Sequence, residues 1–151
     1  MALPLFLPLS SVDDITHAIQ LAIAPVFLLT AVGTLLMVFT NRLSRAVDRR
    51  RVVSKLLPEL NETALAEANS ELEHIARRIQ LIYTAIVLAV FCALFICLLI
   101  AVAFLDAFVG ANLAKVLGVL FVLAMLALIG ALTVFLREIF IAVMPPGGVI
   151  R

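Results

Sequence analysis

Charge is scarce in this chain. Asp, Glu, Lys and Arg make up 14% of its 151 residues and apolar residues 65%, where a soluble domain is about half apolar. That leaves too little polar surface to cover a water-facing globule. The formal net charge is only +1, so the strong basic excess of a nucleic-acid-binding surface is absent. The first 40 residues hold no Lys or Arg, only Asp13 and Asp14. Without a basic n-region, the apolar stretch 1–9 does not read as a secretory signal peptide, and Pro4 and Pro8 make it a poor helix. Cysteine is limited to Cys92 and Cys97. Five residues apart on a helix, they point about 140° from each other, which excludes a strain-free disulfide between them. They match no metal or redox spacing and read as packing residues. There is no Ser-His-Asp set, no pair of carboxylates in a plausible pocket and no glycine-rich phosphate loop. No catalytic, cofactor-binding or metal-ligating residue is therefore assigned, and an enzyme is not expected.

What the chain has is length of apolar run. Ala18–Thr40, Leu81–Leu105 and Val116–Leu136 carry no formal charge, and about 20 apolar residues cross the hydrocarbon core as a helix. The expected fold class is an all-α integral membrane protein with three transmembrane helices. Span 1 covers 12–40, with Ser11 or Asp13 capping its start and Pro25 within it. Span 2 covers 81–105, residues 106–115 form an external turn, span 3 covers 116–136, and 137–151 form a cytoplasmic tail. Eight of the eleven basic residues lie in 41–80. With Arg137 and Arg151 they put ten of eleven on one side, which by the positive-inside rule is the cytoplasm. The N-terminus is expected outside and the C-terminus inside.

The charged middle has its own pattern. Leu36, Phe39, Leu43, Ala46, Arg50, Val53 and Leu57 alternate three and four apart, the a/d spacing of a coiled-coil seam. Pro58 ends that run and Asn61 can cap a new helix, in which Leu65, Leu72 and Ile79 interleave with Ala68, Ile75 and Ile82. At 1.5 Å per residue the two segments rise about 25–28 Å each. The expectation is a cytoplasmic antiparallel helical hairpin, 41–80, formed by extensions of helices 1 and 2. The alternative is an amphipathic loop lying on lipid headgroups. Arg50, at a seam position, needs a partner: an acidic residue of the opposite arm such as Glu71, or a contact between subunits.

Two sets of residues are candidates for function. On span 1, Asp13, His17, Gln20, Thr30, Thr34 and Asn41 fall within an arc of about 140°. His17, Gln20, Thr30, Thr34 and Asn41 thus form a polar face that either lines a path in a homo-oligomer or hydrogen-bonds to neighbouring helices. His17, near the external interface, is either a proton-sensitive group or simply solvated or paired. The second set is a belt of Arg42, Arg45, Arg77, Arg78 and Arg137 at headgroup depth. There guanidinium groups meet lipid phosphates or anchor topology through surface ion pairs, Asp48 and Glu73 being the nearby acids. Small residues recur at four-residue spacing in Ala85, Ala89 and Ala93 and in Gly110, Ala114 and Gly118, with Gly130-Ala131 beyond. They suit close helix packing.

The stretch 17–33, HAIQLAIAPVFLLTAVG, continuing to Thr40-Asn41-Arg42-Leu43 and Asp48-Arg49, resembles the signature of a bacterial membrane-protein family labelled a domain of unknown function. The resemblance implies a small multi-span protein of the bacterial inner (plasma) membrane, and no activity, ligand or catalytic residue. Two functions are carried forward. One is a homo-oligomeric channel or transport-like protein, its path lined by the polar face of span 1. The other is a non-conducting membrane scaffold whose hairpin, 41–80, binds a cytoplasmic protein partner or anionic lipid. Membrane lipid and further copies of the chain are the expected partners, and no cofactor is expected.

Overall fold

A computed structural model describes residues 9–59, 61–109 and 112–143. Among the described residues all regular structure is helical. The long helices are α1, Leu9–Leu56, α2, Glu62–Val109, and α3, Ala114–Val143, with a short 3-10 turn at Leu57–Glu59. Three stretches are long and apolar enough to cross a membrane: Ile23–Leu56, Glu62–Asp106 and Ala114–Val143. At 1.5 Å per residue, the 48 residues of α1 and the 48 of α2 each run about 70 Å, more than twice the roughly 30 Å of a hydrocarbon core. Each helix therefore joins a stretch apolar enough to cross a membrane, without a break, to a polar extension.

The local reasons are in the sequence. Pro58 lacks the N–H that another helical turn needs, and α1 stops two residues before it. The carbonyl of Asn61 accepts the Leu65 N–H at 2.9 Å to begin α2. Pro25 is buried and α1 continues through it. Between α2 and α3, Asn112 takes φ 52°, a left-handed conformation that Asn tolerates better than most residues. The Leu113 N–H donates to Asp106 Oδ1 at 3.0 Å, which ties the loop back to α2. The membrane-side turn is shorter than 106–115, since α2 runs to Val109 and α3 starts at Ala114. At its other end α3 continues to Val143, so residues 137–143, expected as the beginning of a tail, are helix.

Buried positions recur every seven residues. On α1 they are Pro25, Val32, Phe39, Ala46 and Val53. On α2 one series is Ala68, Ile75, Ile82, Ala89, Ile96 and Ala103, and a second is Ala85, Cys92 and Leu99. On α3 the series is Ala124, Ala131 and Glu138. Seven residues are nearly two helical turns, so such a series keeps one stripe against a neighbour over a long contact. α2 carries two series because it packs against both other helices. A main cluster gathers Val32, Phe39, Ile82, Ala89, Ile96, Ala124 and Ala131, and a second gathers Val53, Ala68 and Ile75. The second shows that the polar extensions of α1 and α2 are packed together.

Of the seven expected seam positions from Leu36 to Leu57, Arg50 departs: it is exposed, while the other six are buried or half-buried. The partner on the opposite arm is real but belongs to the adjacent residue. Arg49 Nη2 lies 2.7 Å from Glu71 Oε1. A charge at the seam is costly unless paired, and the long Arg50 side chain reaches water instead.

Candidate functional site: an arginine cluster at the basic end of the bundle

The site lies where all three helices leave their apolar stretches. The rising α1 passes from Thr40 to Arg42, α2 carries Arg78 just ahead of Leu81, and α3 carries Glu138 just past Leu136. Arg42 Nη1 donates to Glu138 Oε2 at 2.7 Å. Arg78 donates to the other oxygen, Oε1, from Nη2 at 3.1 Å and Nε at 3.2 Å. One carboxylate thus joins the three helices. Glu138 is fully buried, and it is the single buried polar or charged side chain among the described residues. Its two partners keep 38% and 34% of their side chains exposed, so neither arginine is sealed inside the bundle.

Aromatic rings lie beneath this clasp. Phe39 and Phe135, each one turn before a clasp residue, have ring centroids 4.5 Å apart and planes tilted by 41°. The Arg42 guanidinium carbon sits 5.2 Å from the Phe135 centroid, within cation–π range. The aromatic floor shields one side of the ion pair from water, and charge-assisted bonds in such surroundings are stronger than exposed ones.

Above the clasp opens a cavity of about 240 Å³, lined by Arg42, Arg45, Ala46, Arg49, Ile75, Arg78 and Ala142. Four arginines and no acidic residue line it. Glu138 offsets Arg42 and Arg78 from below, and Glu71 offsets Arg49 from the side. Arg45 makes no ion pair among the described residues. Four positive charges against two carboxylates leave two formal positive charges in excess at the cavity.

The structure divides the expected belt. Arg42, Arg45 and Arg78 surround one cavity. Arg77 turns away to Glu73, the i,i+4 neighbour, at 2.9 Å with both side chains exposed. Arg137 is exposed, and the inward residue at this level of α3 is its neighbour. Sequence reasoning passes over Glu138 because it adjoins Arg137 just beyond the last apolar run, where charge is expected. The signal that finds it is its seven-residue spacing from Ala124 and Ala131. Asp48 is exposed and forms no ion pair among the described residues.

The polar face of span 1 is not brought into the bundle. Gln20, Thr30, Thr34 and Asn41 are all exposed. Thr30 donates to its own helix at Val26 O, 3.2 Å, and Thr34 donates to Thr30 O, 3.1 Å. The side chains of Asp13 and His17 lie outside the described residues, as do Gly110 and the tail beyond Val143. Of the small residues, Ala85 and Ala89 are fully buried and Ala93 partly so. A Cβ on Gly130 would approach Leu88 at 3.4 Å. Ala114 and Gly118 are exposed and do not contribute to packing within the chain.

No group of His, Cys, Asp and Glu among the described residues is placed to hold a metal ion. Comparison with curated proteins and with solved structures finds no match. Residues 22–144, a stretch that contains all three clasp residues, match the family described as "Protein of unknown function (DUF2721)". The match covers most of the chain, which belongs to this family.

Proposed function

We propose that this protein is a non-conducting scaffold of the bacterial inner membrane. The N-terminus lies outside, the C-terminus lies in the cytoplasm, and the paired extensions of α1 and α2 stand in the cytoplasm as a rigid hairpin. The observation that carries this reading is the Arg42–Glu138–Arg78 clasp. It locks the foot of the hairpin to α3 at the depth where apolar sequence gives way to basic sequence. A hairpin anchored this way keeps its orientation to the bilayer, which suits a platform for a cytoplasmic protein or an anionic lipid surface. The placement of basic residues supports the orientation. Among the described residues Glu138 is the single buried polar or charged side chain, so they offer no polar passage through one chain.

A second reading, a channel formed by several copies, keeps one observation in its favour. Gln20, Thr30, Thr34 and Asn41 share an exposed side of α1 and would line a path if copies met there. Against it, the two threonine hydroxyls are already bonded to their own helix and can face lipid without an unsatisfied group. Ion and small-solute flux into liposomes containing the protein separates the two. The scaffold requires flux no greater than in protein-free liposomes. Flux that drops on Gln20→Leu or Thr34→Val, in protein that folds normally, would establish the channel. For orientation, a membrane-impermeant thiol reagent applied to intact cells should leave a cysteine placed at Asn61 unmodified.

A further inference from the structure

The cavity at the foot of the hairpin gives the anionic partner of the scaffold reading a defined chemistry. We infer that it is a phosphate-binding site, taking the phosphate group of an anionic lipid or of a small soluble phosphate. The inference rests on the scaffold reading only for the depth of the site in the membrane.

Three observations converge. The first is charge. Arg42, Arg45, Arg49 and Arg78 line one cavity, no acidic residue lines it, and two formal positive charges are left after Glu138 and Glu71 are counted. Like charges gathered this closely repel, and an anion between them relieves that repulsion. The second is preorganisation. Glu138 holds Arg42 by one nitrogen and Arg78 by two, and Glu71 holds Arg49 by Nε and Nη2. Each guanidinium is a planar fork with five N–H donors, so each has donors to spare after its carboxylate bond. Held forks matched to phosphate oxygens are the recurring means of phosphate recognition by arginine. Because the carboxylates already hold Arg42, Arg49 and Arg78, three of the four arginines have less rotamer freedom to lose on binding.

The third is size. On the same measure a single water needs about 10–15 Å³, so 240 Å³ accommodates a phosphate group with some of its waters. It falls below the roughly 300–1,000 Å³ of sites that enclose whole drug-sized ligands. The walls complete the fit. Ala46 and Ala142 contribute small side chains to the lining, and Ile75 contributes an apolar one. An apolar wall beside four guanidinium groups, at the depth where the apolar runs end, suits a headgroup phosphate whose glycerol continues toward the bilayer. A soluble phosphate reaches the same donors from the water side.

The test compares two double variants of equal charge in the full-length protein. Arg45→Gln/Arg49→Gln removes two cavity donors and leaves the clasp intact. Arg50→Gln/Arg51→Gln removes two exposed charges from the same helix, outside this cavity. Each protein is placed in phosphatidylcholine nanodiscs with and without 10% phosphatidic acid, and separately titrated with inorganic phosphate in pure phosphatidylcholine. Bound phosphate is followed by 31P NMR and bound lipid by native mass spectrometry. A site built on this cavity predicts that the cavity pair lowers affinity for the retained species at least tenfold, while the control pair changes it less than threefold. Retention of phosphatidic acid alone identifies a lipid headgroup site, and saturable binding of inorganic phosphate identifies a soluble ligand. Either supports the inference. Equal losses in the two pairs, or no saturable binding of either probe to the unaltered protein, would overturn it. Circular dichroism confirms that the variants remain helical, and if the cavity pair does not fold, Arg45→Gln alone is read against Arg51→Gln. Failure of this test leaves the scaffold standing, whereas flux through the protein overturns the scaffold and leaves the phosphate site in place.

Discussion

Removing opposite halves of the clasp should have unequal effects. Glu138→Leu deletes three charge-assisted hydrogen bonds but strands two guanidinium groups that are each about a third exposed. Those long side chains can swing toward water and headgroups, so the loss is limited to about 1.5–3 kcal/mol, the range of a single hydrogen bond to a charged group. The double variant Arg42→Leu/Arg78→Leu leaves a carboxylate with no exposure at all and no partner. Breaking a buried pair from that side costs about 3–5 kcal/mol. Replacing all three, Arg42→Leu/Arg78→Leu/Glu138→Leu, removes the charge together with its desolvation and should return stability to within about 1 kcal/mol of the unaltered protein. The chain carries its own reporter. Cys92 is fully buried, and Cys97 is exposed. In a Cys97→Ala background, the rate at which a small maleimide modifies Cys92 reads separation of the helices during denaturation by sodium dodecyl sulfate in mixed micelles. The ranking, arginine pair worst, Glu138 intermediate, triple near normal, follows from which charge is left buried. A triple variant as unstable as the sum of its parts would refute the reasoning, because the three residues would then be acting independently.

Other outcomes follow from the same geometry. Ala85→Leu or Ala89→Leu inserts three carbons at fully buried positions and should destabilise by about 1–3 kcal/mol, whereas Gly118→Leu, with open space around its Cβ, should be within about 0.5 kcal/mol; both are read by Cys92 labelling. Arg49→Gln breaks an ion pair with 60% and 40% exposed side chains and should cost no more than about 1 kcal/mol, an effect that shrinks further in high salt. Thr30→Val/Thr34→Val should leave stability within about 1 kcal/mol, because the hydroxyls bond only to their own helix.

Much of the fold is legible from pattern. Three charge-free runs of spanning length mark the helices, and Pro58 marks the reversal between α1 and α2, because a residue without an N–H cannot extend the helix that precedes it. The seam through Phe39, Ala46 and Val53 opposite Ala68, Ile75 and Ile82 is also readable, since burial along a long helix contact must repeat near every second turn. The misplacement at Arg50 shows where periodicity stops being informative. It marks a stripe, but whether a long charged side chain at its edge turns in or out depends on where an acid sits across the interface, and that acid, Glu71, meets Arg49. The outer polar face of α1 is equally readable as a face. What it touches is not, because a stripe of threonines has the same spacing whether it meets a helix, lipid or water.

The sequence by itself determined the class of object, the number of spans and the concentration of basic charge at one end. Each of these depends on composition within a single run of residues. Only the tertiary structure decided what that charge does. Arg42 and Glu138 are 96 residues apart in the chain, and Arg78 and Glu138 are 60 apart; no local rule relates them. They meet because the core stripes of α1, α2 and α3 bring the ends of three apolar stretches to one level, and a buried carboxylate there must find cations or be driven out. The same convergence gathers four arginines around one cavity, an arrangement that depends on the relative rotation of three packed helices.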